Sequence, residues 1–405
     1  MFTVSVLGVG NRGGIYAKYL AKNAEARIVA ACDICKENLF TLKTLCDVEE
    51  SNLYTDEESF FEKKRSDVLV IATLDNLHRR QAVRALRLGY DVLLEKPIAP
   101  NQEDVEAIQR AAQTYGRNVV ICHNLRYTPF YQKMKTLLQN GVLGEVVSFE
   151  QSENVAYHHF ASSFVRGNWR KAEESSSIIL QKCCHDLDII YWLVGKKCIE
   201  LSSYGSLRYY VKEHKPAYAT EKCADCPKKD CAYNAVEFFK KYSSALPEEE
   251  KTDENVRAYL DKSVNPVGKC VFHSDNDVCD RQIVNMRFED GAIANLIVHG
   301  FCAPRTDRIT KVFGTKGSMT GNLDSGKILV CEFGKEPYEI DVNDEIADKS
   351  SHLGGDCKLV ADYVDYKNGK DKPLGISLIE DSVYSHKLAF AAERSRALGG
   401  KPVEV

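Results

Sequence analysis

The segment that most constrains the fold is TVSVLGVGNRGG at residues 3–14. Gly8, Gly10 and Gly13 follow an apolar run directly and precede a stretch with helical spacing of apolar residues. This spacing suits a chain that turns tightly, brings its backbone close to a pyrophosphate and packs a helix against a strand. Amides and the dipole at the helix start favour a phosphate. The segment predicts a dinucleotide site, with a simple glycine-rich turn as the alternative.

The end of the next apolar run bears on the type of dinucleotide. ARIVAACD at residues 26–33 predicts a second strand that ends in Asp33, twenty residues after Gly13. A carboxylate at this position accepts hydrogen bonds from the ribose hydroxyls of NAD and repels the additional phosphate of NADP. We therefore expect NAD rather than NADP, and a surface aspartate is the alternative.

Strand and helix patterns alternate through the first third of the chain. Strand signals in DVLVIAT, DVLLEKP and NVVICHN are separated by the helical stretches NLHRRQAVRALRLG and QEDVEAIQRAAQTYG. Such alternation is typical of a parallel, doubly wound α/β sheet. We predict that this Rossmann domain occupies residues 1–124.

The charge balance excludes several classes of partner. The 405 residues include 54 Lys and Arg against 58 Asp and Glu, a net charge of -4 that provides no basic field for nucleic acid or membranes. No apolar run approaches the roughly 20 residues that cross a bilayer. The N-terminus has no pattern of a secretory signal, so we expect a cytoplasmic protein with a small-molecule partner.

Three longer blocks resemble a known family. GVGNRGG, ATLDNLHRRQAVRALRLGYDVLLEKP and HNLRYTPFYQKMKTLLQNGVLGEVVSFE are similar to successive motifs of the glucose-fructose oxidoreductase, inositol dehydrogenase and MocA family (Gfo/Idh/MocA). The resemblance implies a second α/β domain, residues 125–405, with a large, open, mostly antiparallel sheet that holds substrate beside the nicotinamide. It also implies a homodimer or homotetramer.

The resemblance assigns roles to individual residues. Lys96, in the motif Glu95-Lys96-Pro97, would contact the substrate hydroxyl or transfer its proton. Its place after a parallel strand, where open α/β sheets bind ligands, makes this reasonable, and a simple ion pair with Glu95 is the alternative. The other residues expected at the cofactor are Asn11, Arg12, Thr73, Asn76, His78 and Arg126.

SSSIILQKCCHDLDIIYWLVG at residues 175–195 predicts a helix with one buried face. His185 is the candidate general base and shares a face with Lys182, a candidate contact to a substrate hydroxyl or carboxylate. Gln181 stands where the family segment has an aspartate, which removes a carboxylate from the site. A buried core histidine is the alternative for His185. We expect Cys183 and Cys184 only to fill space.

The loop before this helix supplies further candidates for the substrate pocket. Aromatic faces and hydrogen-bond donors suit a polyhydroxylated ring. The candidates are Tyr157, His158, Trp169 and Arg170, together with Gln181 and His185. A core position for the tryptophan and a surface ion pair for the arginine are the alternatives. His352 and Asp356, in another segment that resembles the family, are second-rank candidates.

A cysteine cluster lies in a polar insertion at about residues 212–270. Cys223, Cys226 and Cys231 are closely spaced in a segment that we expect to be too polar to have its own core, which predicts a loop stabilised by a metal. Some members of the family that this chain resembles have a similar cluster followed by a cysteine at the position of Cys270, which implies Cys270 as the fourth ligand, with His273 and Cys279 as substitutes. Zinc is expected before an iron-sulfur cluster, and free thiols or a disulfide are the alternatives.

These features together predict an NAD-dependent oxidoreductase that acts on a secondary alcohol of a sugar, glycoside or cyclitol. One alternative is a redox-neutral glycoside hydrolase or lyase that oxidises C3 transiently and eliminates the C1 substituent. A non-catalytic NAD-binding regulator is the other.

Overall fold

The computed structural model describes residues 1–243, 246–263, 266–303, 305–349 and 352–405. Within these residues the chain forms two sheets, one of six strands and one of nine.

The first sheet alternates strands with helices, as expected. Its elements are β1 (Phe2–Leu7), α1 (Asn11–Ala21), β2 (Ala26–Cys32), α2 (Lys36–Cys46), β3 (Leu53–Tyr54), α3 (Glu57–Phe60), β4 (Val68–Ile71), α4 (Asp75–Arg87), β5 (Asp91–Leu94), α5 (Gln102–Tyr115) and β6 (Val119–Ile121). The strand order is β3-β2-β1-β4-β5-β6 and all pairings are parallel. The predicted doubly wound Rossmann sheet is confirmed.

The second sheet is mixed and mostly antiparallel. The elements that follow β6 are α6 (Pro129–Gln139), β7 (Val146–Ala156), α7 (Tyr157–Phe160), α8 (Ile178–Gln181), α9 (Cys184–Val194), β8 (Cys198–Ser206), α10 (Ala235–Tyr242), α11 (Asp253–Lys262), β9 (Arg281–Phe288), β10 (Ile293–Cys302), β11 (Asp307–Gly314), β12 (Gly317–Asn322), β13 (Lys327–Glu332), β14 (Tyr338–Asp341), α12 (Gly355–Lys367), α13 (Ile379–Ala397) and β15 (Val403–Glu404). The strand order is β14-β13-β12-β11-β7-β10-β9-β8-β15, and only the β7 and β10 pair among these strands is parallel.

The first glycine-rich turn has the geometry that its sequence requires. Gly8 has a φ of 83°, which favours glycine. A Cβ atom at Gly13 would lie 1.9 Å from the carbonyl oxygen of Gly8, so α1 can approach β1 this closely only with glycine there. The turn therefore fixes the start of α1 at the carboxyl end of β1.

Helix α12 returns from the second sheet to the first. Leu359, Val360 and Tyr363 on α12 share an apolar cluster with Val4 and Val6 of β1. Burial of a large apolar side chain stabilises a fold by roughly 1.5–3 kcal/mol. This packing holds residues just before α12 beside the carboxyl ends of the first-sheet strands.

Two local expectations were wrong. The helix predicted over residues 175–195 is broken into α8 and α9, with Cys183 at φ -99° and ψ 6° between them. The cysteine-rich insertion has a small apolar core of its own, which includes Cys223, Val236, Val256 and Leu260.

Among the described residues, no helix is both long and apolar enough to cross a membrane.

Candidate active site

A cavity of about 290 Å³ contains the two side chains expected to do the chemistry. Lys96 enters it from the carboxyl end of β5 and His185 from the first turn of α9. The other residues that line the cavity are Leu125, His159, Lys182, Thr306, Asp307, Arg308, Leu323, Asp324, His352 and Leu353. Residues associated with both sheets therefore converge on one cavity.

The Lys96 ammonium is not paired with Glu95. One carboxylate oxygen of Glu95 accepts hydrogen bonds from Arg12 at 2.7 Å and Tyr16 at 2.6 Å. The other accepts the backbone N–H of Lys96 at 2.8 Å. The Nζ atom of Lys96 instead lies 3.4 Å from the carbonyl oxygen of Gln181. The simple Glu95 to Lys96 ion pair is ruled out, and the ammonium faces the cavity.

Arg12 joins the glycine-rich turn to α12. Its two terminal nitrogens donate to the Asp356 carboxylate at 3.0 and 2.6 Å, while its Nε binds Glu95. Burial opposes ionisation of Asp356, but hydrogen bonds from His352 and Arg12 hold its pKa well below the usual range. Burial likewise opposes ionisation of Glu95, whose pKa is lowered by Arg12 and Lys96. Asp356 thus positions His352 at the cavity, with Nδ1 of that ring 2.8 Å from the carboxylate.

His185 is deprotonated at neutral pH. Burial lowers the pKa of His185 well below its usual value, and the nearby Lys96 charge lowers it further. Its Nδ1 is buried without a hydrogen-bond partner among the described residues, so Nε2 is the nitrogen that a ligand can reach. Neighbouring imidazoles of His123 and His352 lie with ring centroids 6.0 and 6.4 Å away. The neutral ring can therefore accept a hydrogen bond from a ligand at Nε2.

Three ion pairs at the wall of the cavity were missed by the sequence reasoning. The Nε atom of Arg308 lies 2.9 Å from Asp186 and 2.7 Å from Glu153. Lys182 lies 3.1 Å from the other Glu153 oxygen. Burial raises the pKa of Glu153, and the charges of Arg308 and Lys182 offset part of that rise. Arg308 and Glu153 occupy inward positions of β11 and β7, where an alternating strand normally places apolar residues.

Asp75 provides a carboxylate next to Gln181. The Gln181 side-chain amide donates to Asp75 at 2.9 Å, and both residues are buried. Burial raises the pKa of Asp75, which the charges of His78 and Lys96 partly counteract. The first residue of α4 therefore places a carboxylate directly beside Gln181.

Other residues expected at the cofactor have structural contacts. His78 is 1% exposed, with Nδ1 3.0 Å from the Pro97 carbonyl oxygen, and it fixes the segment after Lys96. Arg126 makes a bidentate ion pair with Asp188, both hydrogen bonds being 2.6 Å. Thr73 donates to Gln81 at 2.5 Å. Their predicted contacts with the cofactor remain predictions.

The backbone at the start of α1 leaves room for a phosphate group. No atom of the described residues lies within 4 Å of a Cβ built at Gly10, and no described side chain caps the helix. The first amides of α1, which begins at Asn11, are thus available for a phosphate. Asp33 lies at the end of β2 and accepts the backbone N–H of Val9 at 2.6 Å, which places its carboxylate beside the turn.

The predicted substrate loop is placed largely elsewhere. Tyr157 packs edge to face on Tyr233 at 5.7 Å, and His158 stacks on Tyr242 at 4.7 Å, so both face the cysteine-rich insertion. The next residue, His159, lines the cavity instead.

The two candidates at the end of this loop also lie away from the cavity. Trp169 packs against Phe164 at 5.9 Å, at the edge of the core. Arg170 pairs with Asp275 at 3.0 Å. Trp169 thus has core contacts and Arg170 an ion pair, and their predicted contacts with substrate stay predictions.

The four cysteines of the predicted metal site line one cavity of about 280 Å³. However, no group of three or more His, Cys, Asp or Glu side chains within residues 1–243, 246–263, 266–303, 305–349 and 352–405 is arranged to hold a metal ion. The predicted zinc ligands Cys223, Cys226, Cys231 and Cys270 are thus near one another without metal-site geometry. His273 and Cys279 are not among the residues that line this cavity.

Buried histidines give the fold a distinctive dependence on pH. His386 is fully buried, its Nε2 accepts the Ile98 N–H, and burial lowers its pKa to about 3. In the unfolded chain the His386 imidazole binds a proton with a pKa near 6.5, whereas in the native state it stays unprotonated at that pH. The free energy of unfolding therefore falls as the pH drops below 6.5.

The contribution of His386 alone to the free energy of unfolding should fall by about 1 kcal/mol between pH 7 and 5.5. Urea unfolding at the two pH values measures this change. The variant His386→Asn should show a smaller pH dependence, whereas His214→Asn, at an exposed ring, should not differ from the parent. Equal dependence in all three proteins would contradict the assignment.

Comparisons with known proteins agree with this architecture. Residues 2–123 match the family model described as oxidoreductase family, NAD-binding Rossmann fold, and residues 135–405 match its C-terminal alpha/beta domain. The 2,7-anhydro-N-acetylneuraminate hydratase of Mediterraneibacter gnavus is 25% identical over 201 residues, 50% of this chain and 51% of that protein. Inositol 2-dehydrogenase 2 of Saccharopolyspora erythraea is 24% identical over 202 residues, 50% of this chain and 56% of that protein. The chain thus spans about half the length of these curated relatives.

A solved structure shares the whole fold. An oxidoreductase from Agrobacterium radiobacter, in complex with NAD+, L-tartaric acid and magnesium, superimposes with a TM-score of 0.71 at 17% identity and covers 100% of this chain and 98% of that one. Because the two family models together span nearly all of residues 2–405, this chain belongs to the Gfo/Idh/MocA oxidoreductase family, with an NAD-binding Rossmann domain and a C-terminal α/β domain.

Proposed function

We propose that the protein is an NAD-dependent dehydrogenase that oxidises a secondary alcohol of a sugar, glycoside or cyclitol. The observation that carries this proposal is the convergence of Lys96 and His185 on one cavity, beside a domain that matches the NAD-binding Rossmann model. The dehydrogenase activity in the name of the Saccharopolyspora erythraea relative supports this class of reaction.

Each side chain has a distinct role in the proposed reaction. Bound NAD+ supplies the acceptor for the hydride that leaves the alcohol carbon. His185 accepts the hydroxyl proton at Nε2, because its lowered pKa leaves it unprotonated at neutral pH. The Lys96 ammonium stabilises the negative charge that develops on the oxygen as this proton leaves. Gln181 and Asp356 are positioning residues, since they hold Lys96 and His352 in place.

Absorbance of NADH in the near ultraviolet tests the proposal directly. We expect NADH to accumulate when the protein is mixed with NAD+ and a panel of sugars, glycosides and cyclitols. Release of an aglycone without NADH would instead indicate redox-neutral glycoside cleavage, for which the similarity to the hydratase provides some support. Binding of NAD+ with no reaction on any member of the panel would contradict both enzyme proposals and favour a regulator.

Asp33 is proposed to select NAD over NADP. Its carboxylate is held at the turn by the Val9 amide and by the Cys35 amide at 2.8 Å, so it would repel a phosphate on the adenosine ribose. The variant Asp33→Ser should lower the ratio of kcat/KM with NAD+ to kcat/KM with NADP+ by on the order of 10–100-fold. Glu37→Ser, nearby on α2, is the control that should leave this ratio unchanged. An unchanged ratio in Asp33→Ser would contradict the role.

We propose that the cysteine cluster binds one structural zinc ion after modest rotation of its side chains. Support comes from Arg166, which is 2% exposed and donates to Cys223 Sγ at 3.6 Å and to the carbonyl oxygens of Tyr233 and Lys269. No described carboxylate pairs with this guanidinium. A buried cation requires negative charge nearby, and four thiolates around one zinc ion carry a net charge of about -2.

Metal analysis tests the zinc proposal. Protein purified without added metal should contain about one zinc ion per chain. Cys231→Ser should lose most of it, while Cys302→Ser, at the end of β10, should retain it. Zinc-free parent protein that is fully folded would refute the site.

A homodimer or homotetramer is proposed from the outer face of the nine-stranded sheet. Large apolar side chains on this face are exposed, and such patches commonly mark an interface. They are Tyr204, Ile293, Ile297, Phe301, Phe313 and Leu329. Light scattering of Ile297→Glu should give a smaller mass than the parent.

We also propose a cytoplasmic location, which is supported because none of the fifteen cysteines forms a disulfide in the described chain.

A further inference from the structure

The cavity contains an arginine with unused donors. Arg308 is 8% exposed, and its Nε binds Asp186 and Glu153. Its two terminal nitrogens donate no hydrogen bond to any described residue, and neither nitrogen is fully buried. Because Arg308 lines the cavity, these nitrogens are available to a molecule bound there.

Two further cations face the same space. Lys182 lines the cavity and lies 3.1 Å from Glu153, so Arg308 and Lys182 are held on one carboxylate. The Lys96 ammonium contacts only the Gln181 carbonyl oxygen among the described residues. A planar guanidinium fork matches the two oxygens of a carboxylate better than it matches a neutral hydroxyl.

The carboxylates on the cavity wall already have partners. Asp307 accepts hydrogen bonds from Asn154 at 2.7 Å and from Asn322 at 3.3 Å. Asp324 pairs with Arg305 at 2.9 Å. The part of the cavity near Arg308 and Lys182 is therefore where an anionic group would meet free donors.

We propose that the substrate is an acidic sugar whose carboxylate binds Arg308 and Lys182 while its reacting hydroxyl lies at Lys96 and His185. This inference rests on the proposed dehydrogenase function and narrows its substrate class to a uronic acid or a similar carboxylated ring. A carboxylate is favoured over a phosphate because a second negative charge would face Glu153 and Asp186, which lie directly behind the guanidinium.

Binding to the NADH-loaded protein tests this without turnover. Calorimetric titrations compare D-glucuronate with D-glucose and D-galacturonate with D-galactose, and include glucose 6-phosphate. At least one uronate should bind on the order of 10–100-fold more tightly than its neutral partner. Equal affinity within both pairs, or tighter binding of the sugar phosphate than of either uronate, would overturn the proposal.

Variants locate the carboxylate contact. Arg308→Lys retains a positive charge beside Glu153 and Asp186 but removes the two terminal nitrogens of the guanidinium. Lys182→Gln removes the more exposed of the two cations. Both should reduce the preference for the uronate by on the order of tenfold or more. Lys311→Gln, on the same strand but paired with Glu150 outside the cavity, should preserve the preference.

The outcomes separate this inference from the proposed function. Uronate binding that depends on Arg308, without NADH formation from any sugar, would sink the dehydrogenase proposal and leave the anion site standing. NADH formation from neutral sugars as efficient as from uronates would sink the acidic-substrate proposal and leave the dehydrogenase standing. An uronate preference that persists unchanged in both variants would show that the carboxylate binds elsewhere and overturn the assignment.

Discussion

Lys96→Met and His185→Asn are each expected to lower kcat/KM for NADH formation by on the order of 10²–10⁴-fold. His185→Asn removes the proton acceptor, and Lys96→Met removes the charge that stabilises the developing alkoxide. The reason to expect so large a loss is that both groups act on one oxygen in a mostly buried cavity, where water replaces them poorly. Steady-state kinetics with the best substrate of the panel measures the effect.

NAD+ affinity distinguishes a chemical role from a general loss of the site. Both variants should bind NAD+ within a few-fold of the parent, because the glycine-rich turn and Asp33 are unaltered. Lys133→Met, on the surface of α6, serves as the matched control and should keep parental kinetics. Retention of more than about a tenth of the parental kcat/KM by both active-site variants would contradict their assigned roles.

Arg126→Met is expected to reduce the free energy of unfolding by about 3–5 kcal/mol. The ion pair of Arg126 and Asp188 is bidentate and both side chains are buried, so the variant leaves a carboxylate in the interior without its cation. Burial raises the pKa of Asp188, and Arg126 offsets part of that rise in the parent protein. Urea unfolding at pH 7 measures the loss.

A double variant separates the cost of an unpaired charge from the loss of packing. Arg126→Met combined with Asp188→Leu should recover much of the stability lost in Arg126→Met, because no buried charge remains. Arg79→Met, which breaks an exposed pair with Asp104, should change stability by less than about 1 kcal/mol. A double variant less stable than Arg126→Met would show that the ion pair is not the reason for the loss.

Local sequence patterns predicted the first sheet well because each strand and helix there has the apolar spacing typical of its type. Parallel strands buried on both faces are apolar, as in β4 and in β5 after Asp91, and the helices between them are amphipathic. The glycine spacing fixed the first turn for steric reasons, as the position of Gly13 shows. The placement of Lys96 after β5 follows from the same topology.

The cavity walls depend on contacts between distant segments, which a local pattern does not contain. Tyr157 and His158 have the chemistry of a sugar site, but the insertion carrying Tyr233 and Tyr242 covers them. Asp75 reaches Gln181 only because α4 and α8 meet across the two domains.

One sequence signal was available and was missed. Glu153 and Arg308 are charged residues at inward positions of alternating strands, where burial without a partner would be costly. Such a pair of opposite charges predicts a buried contact between the two strands. The register of β7 and β11 places Glu153 opposite Arg308, as that reasoning would require.

A crystal structure of the protein with NADH and a sugar that it oxidises most directly tests whether Lys96 and His185 form the reaction centre. We expect one ring hydroxyl within about 3.2 Å of both Lys96 Nζ and His185 Nε2, and the hydrogen on its carbon directed at the nicotinamide. A sugar bound with that hydroxyl away from both side chains, or a nicotinamide ring on the far side of the cavity, would contradict the account.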